Sequence, residues 1–226
     1  MKLPFRKYTV EDHMNTHWHK LAVLSLLLSL AVSGCAMTDA HVNPGFTPES
    51  GKRSPLSTIS PLAIVIQVED QRTPGEQDRV GDKKNGFGSV TAKVLPDKVP
   101  TTILYDALKA EFENNAHKIV QTEDRKADAL IKIGLKRYWS DLAIHFFDVE
   151  MKGTLDADIA ILNGIDQNRL ASKPLNGTFR ESRQIALEGA FESVLNGALF
   201  EFIRTFSRDP NVLDALRTVA LQKDKR

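Results

Sequence analysis

Cysteine is almost absent from this sequence, with Cys35 as the single one among 226 residues. One cysteine cannot form a disulfide within the chain, and it cannot build a zinc site from cysteine ligands. An excess of charge is lacking too, because the formal net charge is +1, and no basic stripe indicates a nucleic-acid partner. The hydrophobic content of 42% is ordinary for a globular protein, so we expect the chain to fold on an apolar core.

A hydrophobic run long enough to cross a membrane is also missing. Residues 21–32 form an apolar stretch that would measure about 18 Å as a helix, whereas a spanning helix needs roughly 20 apolar residues. Arg6, Lys7 and Lys20 precede this stretch, as in a secretory signal peptide. A buried core helix is disfavoured because the stretch has no polar face.

The apolar stretch ends on Val32, Ser33, Gly34 and Cys35, which resembles the lipobox of bacterial lipoproteins. The resemblance implies cleavage before Cys35, diacylglycerol on its thiol, and acylation of the new amino terminus. An ordinary secretory peptide with a chance cysteine is the alternative. Each buried methylene of an acyl chain contributes about 0.8 kcal/mol, so the lipid bilayer is the predicted partner of acylated Cys35.

Three segments follow from this interpretation. They are a signal peptide over 1–34, the lipidated cysteine with a flexible tether over 35–58, and a single periplasmic α+β domain over 59–226. The tether contains three Pro and two Gly without periodicity. As a coil it would reach roughly 25–30 Å, so the domain would stand off the bilayer while staying close to it.

Two details of the leader bear on location and on the start of translation. Ala36 follows the cysteine, and by resemblance to enterobacterial sorting it points to the outer membrane, with the domain facing the periplasm. Translation starts at Met1 or at Met14, since the stretch from Met14 alone would make a normal leader.

Alternating apolar residues predict an antiparallel β-meander in the centre of the chain. Residues 62–68, 129–135 and 147–161 place apolar side chains at every second position, and residues 169–182 return the chain after a turn. Gly153 is expected to mark a bulge or bend in the long strand.

Two amphipathic helices and a short third helix complete the predicted α+β fold, with the two main helices packed on one face of the sheet. The first helix lies within 101–115, and the second has its apolar residues at helical spacing over 187–206. Thr101 or Thr102 is expected to cap the first helix. A short helix closes the chain after Asp209 and Pro210.

The end of the first helix and the first loop carry further expectations. Asn114 and Asn115 are expected to take the left-handed conformation where the helix ends. Residues 73–86 are rich in turn formers and charges, which predicts a long exposed loop, and residues 87–95 are a candidate second strand.

The strand ending in the sequence VEDQR, residues 68–72, is similar to the YajG family of bacterial lipoproteins. The likeness covers most of residues 60–206 and the lipobox, and it implies location and fold more than activity. Within this stretch, Asp70 and Arg72 form either a structural turn pair or a ligand contact.

No catalytic, metal-binding or cofactor site is predicted. Only His117 and His145 lie in the predicted domain, and neither belongs to a zinc-protease motif. Asp156 and Asp158 share a strand face and could mimic a pair of catalytic carboxylates, although a solvated face is the favoured interpretation.

Three hypotheses about function follow. The favoured one is a non-enzymatic envelope lipoprotein whose domain binds or scaffolds an unidentified envelope protein. The second is an auxiliary lipoprotein that handles lipid or glycan for a transport system, which requires an apolar groove between Phe146, Phe200 and the sheet edge. The third is an envelope hydrolase that uses His145, Asp156 and Asp158.

Overall fold

Three long antiparallel strands form the centre of the computed structural model, which describes residues 38–85, 87–121, 127–144, 148–183 and 188–225. Strand β6 spans Ala129–Ile144, β7 spans Val149–Asn163 and β8 spans Arg169–Arg183. Strand β7 lies between the other two and pairs antiparallel with both. The predicted meander and the α+β class are therefore confirmed.

The sheet continues beyond β6 through parallel strands, which the sequence pattern did not predict. Strand β2, Ala63–Asp70, pairs parallel with β6 along its length, and the short β5, Lys118–Ile119, pairs parallel with β2. Parallel neighbours need a long crossover connection, and a helix provides part of it here. The sheet is mixed because pairing direction depends on this crossover and leaves no local trace in the strand sequence.

A hairpin replaces most of the second half of the predicted exposed loop. Strand β3, Gly81–Lys84, pairs antiparallel with β4, Val90–Pro96, and Val80 just before β3 is fully buried. A Cβ atom on Gly81 would lie 2.1 Å from Oγ of Ser140, so only glycine allows β3 to approach β6 here. The prediction of a loop over 73–86 was wrong for this part, because a strand of four polar residues has no hydrophobic alternation.

Two parts of the predicted tether, one near its start and one at its end, are folded onto the domain. Strand β1, Ala40–Val42, pairs parallel with β4, and Ala40 and Val42 are 1% and 2% exposed. A single turn of 3-10 helix at Pro55–Thr58 also buries Leu56. A three-residue strand is too short for a periodic signal, so its burial is a tertiary effect. The domain boundary at 58 and the lipidated start of this segment stay predictions.

Helix α1 spans Pro100–Asn114, and its ends differ from the expected ones. Val99 is the N-terminal cap residue, with Pro100 in the first turn, so the predicted capping by threonine was wrong. Proline fits this position because its missing N–H would have no helical partner. At the other end Asn115 has φ of −101°, and Ala116 takes the left-handed conformation with φ of 69°.

Helices α2, Glu188–Arg208, and α3, Pro210–Lys223, follow as predicted. The carboxylate of Asp209 accepts hydrogen bonds from the backbone N–H groups of Asn211 and Val212 and so caps α3. The apolar face of α2 packs on the sheet, and its buried residues are Phe191, Val194, Leu195, Ala198, Leu199, Phe202, Ile203 and Phe206.

Gly153 lies under α2 and not at a bulge. A Cβ atom on Gly153 would lie 1.9 Å from the carbonyl oxygen of Val194 in α2. The register of β6 against β7 shifts elsewhere, between Leu135 and Arg137. The glycine therefore lets the helix approach the sheet closely, which corrects the predicted bend.

Candidate functional site

The predicted lipidation residue, Cys35, lies outside the described residues, but its chain distance to the fold is short. Strand β1 begins at Ala40, five residues after Cys35. A fully extended chain spans at most about 3.6 Å per residue, so these residues reach no more than about 18 Å. A lipid on Cys35 would therefore hold the folded domain closer to the bilayer than it would if the flexible tether extended to residue 58.

Asp70 and Arg72 meet at the carboxyl end of β2. The guanidinium of Arg72, which is 2% exposed as a residue, donates from Nε to Oδ1 of Asp70 at 3.0 Å and from NH2 to Oδ2 at 2.9 Å. Partial burial raises the pKa of Asp70, but hydrogen bonds from Arg72 outweigh it and hold this pKa below its ordinary value of 3.8. Folded Asp70 is therefore a stable carboxylate partner for the buried cation.

The remaining donors of Arg72 organise the loop that follows. Its NH1 and NH2 groups donate to the backbone carbonyl oxygens of Glu76, Gln77 and Arg79 at 2.8–3.1 Å. A guanidinium has five N–H donors, and all five are used within the chain. This geometry supports the structural turn pair, because no donor of Arg72 is left for a ligand.

The carboxylates of β7 lie on the bare face of the sheet, opposite the helices. Asp158 is paired with Lys136 at 3.3 Å, and its side chain is 58% exposed. It lines a shallow depression of about 510 Å³ with Lys132, Gly134 and Arg169. An exposed, ion-paired carboxylate is well solvated, so this face lacks the burial that tunes a catalytic acid.

His117 is a buried structural residue, and His145 lies outside the described residues. The backbone N–H of Leu62 donates to Nδ1 of His117 at 3.2 Å, so Nε2 carries the proton and donates to the carbonyl oxygen of Leu56 at 3.1 Å. Burial lowers the pKa of His117 from its ordinary value of 6.5. Both ring nitrogens are engaged by the backbone, which leaves neither for proton transfer.

A groove of about 300 Å³ lies between the segment 46–54, the end of α1 and the second half of α2. Its apolar part is formed by Phe46, Phe200 and Ile203, and the rings of Phe46 and Phe200 are 6.1 Å apart between centroids. Phe200 is the predicted groove residue, whereas Phe146 lies outside the described residues. The groove is bounded by helices and not by the sheet edge, which corrects that part of the prediction.

Polar contacts from the two helices hold the segment 46–54 in place as one wall of the groove. Asn196 accepts from the backbone N–H of Gly45 at 2.8 Å, and Asn115 accepts from that of Ser54 at 2.9 Å. Asn114 donates to the carbonyl oxygen of Lys52 at 2.9 Å. No local pattern predicted this wall, because each contact joins residues at least 61 positions apart.

Basic side chains surround the groove. Arg53 and Arg208 line it and are exposed, whereas Lys52 is ion-paired with Glu49 and Arg204 with Glu201. Oγ of Ser54 is buried at the groove and has no hydrogen-bond partner among the described residues. An apolar bed with cationic edges suits an amphiphilic ligand that carries an anionic group.

Two searches of the described residues bear on other kinds of site. These residues contain no group of three or more His, Cys, Asp or Glu side chains placed to hold a metal ion. Across the same ranges, none of the helices combines the length and the apolar character needed to cross a membrane.

The chain matches no family model and no curated protein. Among solved structures, it is similar to protein XCC0632 from Xanthomonas campestris, of the family DUF330, at 14% identity and a TM-score of 0.54, over 83% of this chain and 99% of that one. At this identity the likeness shows a shared fold and nothing about activity.

Two solved bacterial lipoproteins match more weakly. A minor lipoprotein from Acinetobacter baumannii matches at 13% identity and a TM-score of 0.36, over 66% of this chain and 92% of that one. Lipoprotein GNA1162 from Neisseria meningitidis matches at 10% identity and a TM-score of 0.33, over 60% and 93%. Both TM-scores are too low to argue a common fold.

Proposed function

We propose that this chain is a lipoprotein of the bacterial cell envelope, anchored by lipid on Cys35, whose domain binds an envelope partner without catalysing a reaction. The observation that carries the proposal is the lipobox-like sequence that ends only five residues before the folded domain. The YajG-like identity and the outer membrane, facing the periplasm, are the finer form of this proposal. They rest on the sequence VEDQR and on Ala36.

The non-enzymatic part of the proposal rests on how the polar residues are used. The guanidinium of Arg72 and both ring nitrogens of His117 are hydrogen-bonded within the chain. Asp158 is solvated and ion-paired. A general acid or base needs a poised pKa and a free contact with the reacting group. None of these three side chains offers both.

Replacing the cysteine tests the anchor. Cys35→Ser in cells fed a labelled fatty acid should abolish incorporation of label and shift the protein from the membrane to the aqueous fraction. Met37→Ala, two residues further on, is the matched control and should keep both the label and the membrane fraction. A Cys35→Ser protein that still incorporates fatty acid would contradict the proposal.

Site-specific cross-linking tests the partner. A photoreactive amino acid at Lys52 or Arg208, on the edge of the groove, should give one discrete adduct in intact cells. The same group at Asp166, in the exposed turn between β7 and β8, is the control and should not. Identical adduct patterns from all three positions would indicate random collision and count against a binding groove.

A second candidate function is the handling of an amphiphilic lipid or glycolipid for a transport system, which the groove favours. Its volume of about 300 Å³ is at the lower end for ligand sites, and its edges are basic. Native mass spectrometry of the purified protein should show a co-purified anionic amphiphile that is lost in Phe200→Glu. The control Ile165→Glu, in the turn between β7 and β8, should retain it. A wild-type protein without any adduct would remove this candidate.

A further inference from the structure

We propose that the tip of the β3–β4 hairpin docks on the bilayer surface, with Phe87 inserted at the lipid headgroups beside the lipid anchor. Phe87 is 96% exposed, and Val90 on the same hairpin is 55% exposed. Single exposed apolar residues are common, but a phenylalanine held almost fully in water at a loop tip is unfavourable unless a partner covers it. The inference rests on the proposed lipid anchor, because that anchor brings the membrane to this side of the domain.

Hydrogen bonds give the tip a defined shape that presents Phe87 outward. The side-chain oxygen of Asn85 accepts from the backbone N–H groups of Phe87 and Ser89, both at 3.0 Å. The N–H of Gly88 donates to the carbonyl oxygen of Asn85 at 2.9 Å, and Gly88 has φ of 80°. Glycine tolerates this left-handed conformation, so the turn closes without folding the phenylalanine back onto the sheet.

Strand direction places the tip at the end of the sheet where β1 begins. Strand β1 runs parallel to β4, with Ala40 opposite Val94. Moving from Ala40 towards the N-terminus therefore leads in the same direction as moving along β4 from Val94 to Val90 and the hairpin tip. The carboxylate of Asp39 accepts from the backbone N–H of Lys93 at 2.8 Å, which holds this part of the chain beside β4.

The stretch from Cys35 to Ala40 is long enough to reach the level of the hairpin end of β4. Val90 lies four residues before Val94, which is about 13 Å of strand. Cys35 lies five residues before Ala40, which reaches at most about 18 Å. A lipid on Cys35 can therefore enter the bilayer at the level where the hairpin ends.

The charge of the tip suits an anionic membrane surface. Lys84 ends β3, and no acidic residue lies between it and Val90. The nearby carboxylates of Asp78 and Asp82 are paired with basic side chains, at 2.6 Å and 3.2 Å. A lysine close to an anionic bilayer adds attraction.

The test uses the acylated protein in vesicles of phosphatidylethanolamine and phosphatidylglycerol. Cys35 is the single cysteine and its thiol carries the lipid, so Phe87→Cys or Ile165→Cys provides one free thiol for a spin label. Ile165 is a matched control because it is a 55%-exposed apolar residue in the β7–β8 turn. That turn lies at the opposite end of the sheet, since β3 is parallel to β6 and antiparallel to β4.

Collision of the label with an aqueous nickel complex is the measurement. The apolar nitroxide side chain stands in for the phenylalanine ring, so reconstitution should lower the collision rate at position 87 by about tenfold and should leave position 165 unchanged. Lys84→Glu should raise the collision rate at position 87 about fivefold. Lys109→Glu replaces an exposed lysine on α1 and should leave that rate unchanged.

The outcomes separate the inference from the anchor. Equal nickel collision rates at positions 87 and 165, in protein that floats with the vesicles, would show that the hairpin contacts no bilayer and would overturn the inference alone. Protein that does not float with the vesicles would overturn the proposed anchor and the docking with it. Protection at 87 that requires a second protein in the vesicles would assign the tip to a protein partner and would also overturn the inference.

Discussion

His117 shows how one buried side chain can link the stability of the domain to pH. Its ring joins the 3-10 turn at Leu56 to the residue before β2, Leu62, and the contact in which Nδ1 accepts from Leu62 requires the neutral form. Burial lowers the pKa of the folded imidazole below 6.5, because the charged form loses solvation. The unfolded chain thus binds the proton more tightly than the folded domain does.

We therefore expect the free energy of unfolding to fall as the pH decreases through 6.5. The contribution of His117 is fully present above this value and is lost as the pH drops towards the lower folded pKa. Urea denaturation at pH 7.5 and pH 5.0 measures the change. His117→Asn should reduce the pH dependence, while His41→Asn, an exposed histidine, should keep it. Equal pH dependence in both variants would contradict the role of His117.

Arg72 is a buried cation that stabilises the domain through its hydrogen bonds to the backbone of the loop after β2. Arg72→Lys keeps the charge but cannot reproduce five hydrogen bonds in a fixed plane, so we expect a loss of about 3 kcal/mol of unfolding free energy. Arg217→Lys, in an exposed pair with Asp214, should cost about 0.5 kcal/mol or less. Chemical denaturation of both variants checks this, and similar losses would mean that the loop contacts of Arg72 contribute little.

At the scale of elements, the distance between α2 and the sheet is set by glycines. Besides Gly153 below Val194, Gly177 on β8 has the backbone of Ala198 and Phe202 within 2.4 Å of an added Cβ. No side chain can be added at either position unless the helix moves. The amphipathic pattern of α2 predicts that it packs on the sheet, but not how closely.

Adding one methyl group tests this contact. Gly153→Ala should lower the unfolding free energy by roughly 2 kcal/mol, because overpacking forces backbone shifts. Gly189→Ala, in the first turn of α2 with nothing within 4 Å of the new Cβ, should raise it by about 0.5–1 kcal/mol through helix propensity. Thermal or urea unfolding distinguishes the two, and a neutral Gly153→Ala would show that the helix shifts at little cost.

Elements with a long periodic pattern could be predicted, and short ones could not. Helix α2 and strands β6 and β7 were predicted because their apolar residues recur over many positions. Strands β1 and β3 have three and four residues, too few for any period. Their formation depends on β4 and β6, which supply the hydrogen-bonding partners.

On the scale of the whole molecule, the proposed lipid on Cys35 would allow the domain only a short reach from a membrane, because β1 begins five residues later. Helix α2 runs away from the hairpin end, since Gly153 of β7 lies under Val194 and Lys173 of β8 pairs with Asp209 at 2.5 Å. The groove at Arg208 therefore lies toward the far end of the domain. Docking by the hairpin would leave this groove open to a periplasmic partner.

Lengthening the connection should weaken the docking. An insertion of twelve Gly and Ser residues after Met37 keeps the lipid but lowers the effective concentration of the hairpin at the bilayer. We expect the nickel collision rate of a label at position 87 to rise by about threefold or more relative to the unmodified chain, with flotation unchanged. A collision rate that is independent of the insertion would mean that the short connection plays no part in docking.

The candidate site was only partly foreseeable for the same physical reason. Phe200 was named as a groove residue, but Phe46 and Arg53 were assigned to a flexible tether, since their positions depend on hydrogen bonds to distant asparagines. Phe87 lay at the start of the candidate second strand, and its exposure follows from the turn that Asn85 closes.

The sequence by itself determined the lipobox-like cysteine, the three long strands and the amphipathic helices, because each is written in neighbouring residues or in a local period. Only the tertiary structure decided that β2 runs parallel to β6, that Ala40–Val42 joins the sheet, and that the β3–β4 hairpin ends on the side of the sheet where β1 begins. Such features depend on which distant segments pair and how closely they approach. Strand pairing and close packing are long-range interactions, and a local pattern does not encode them.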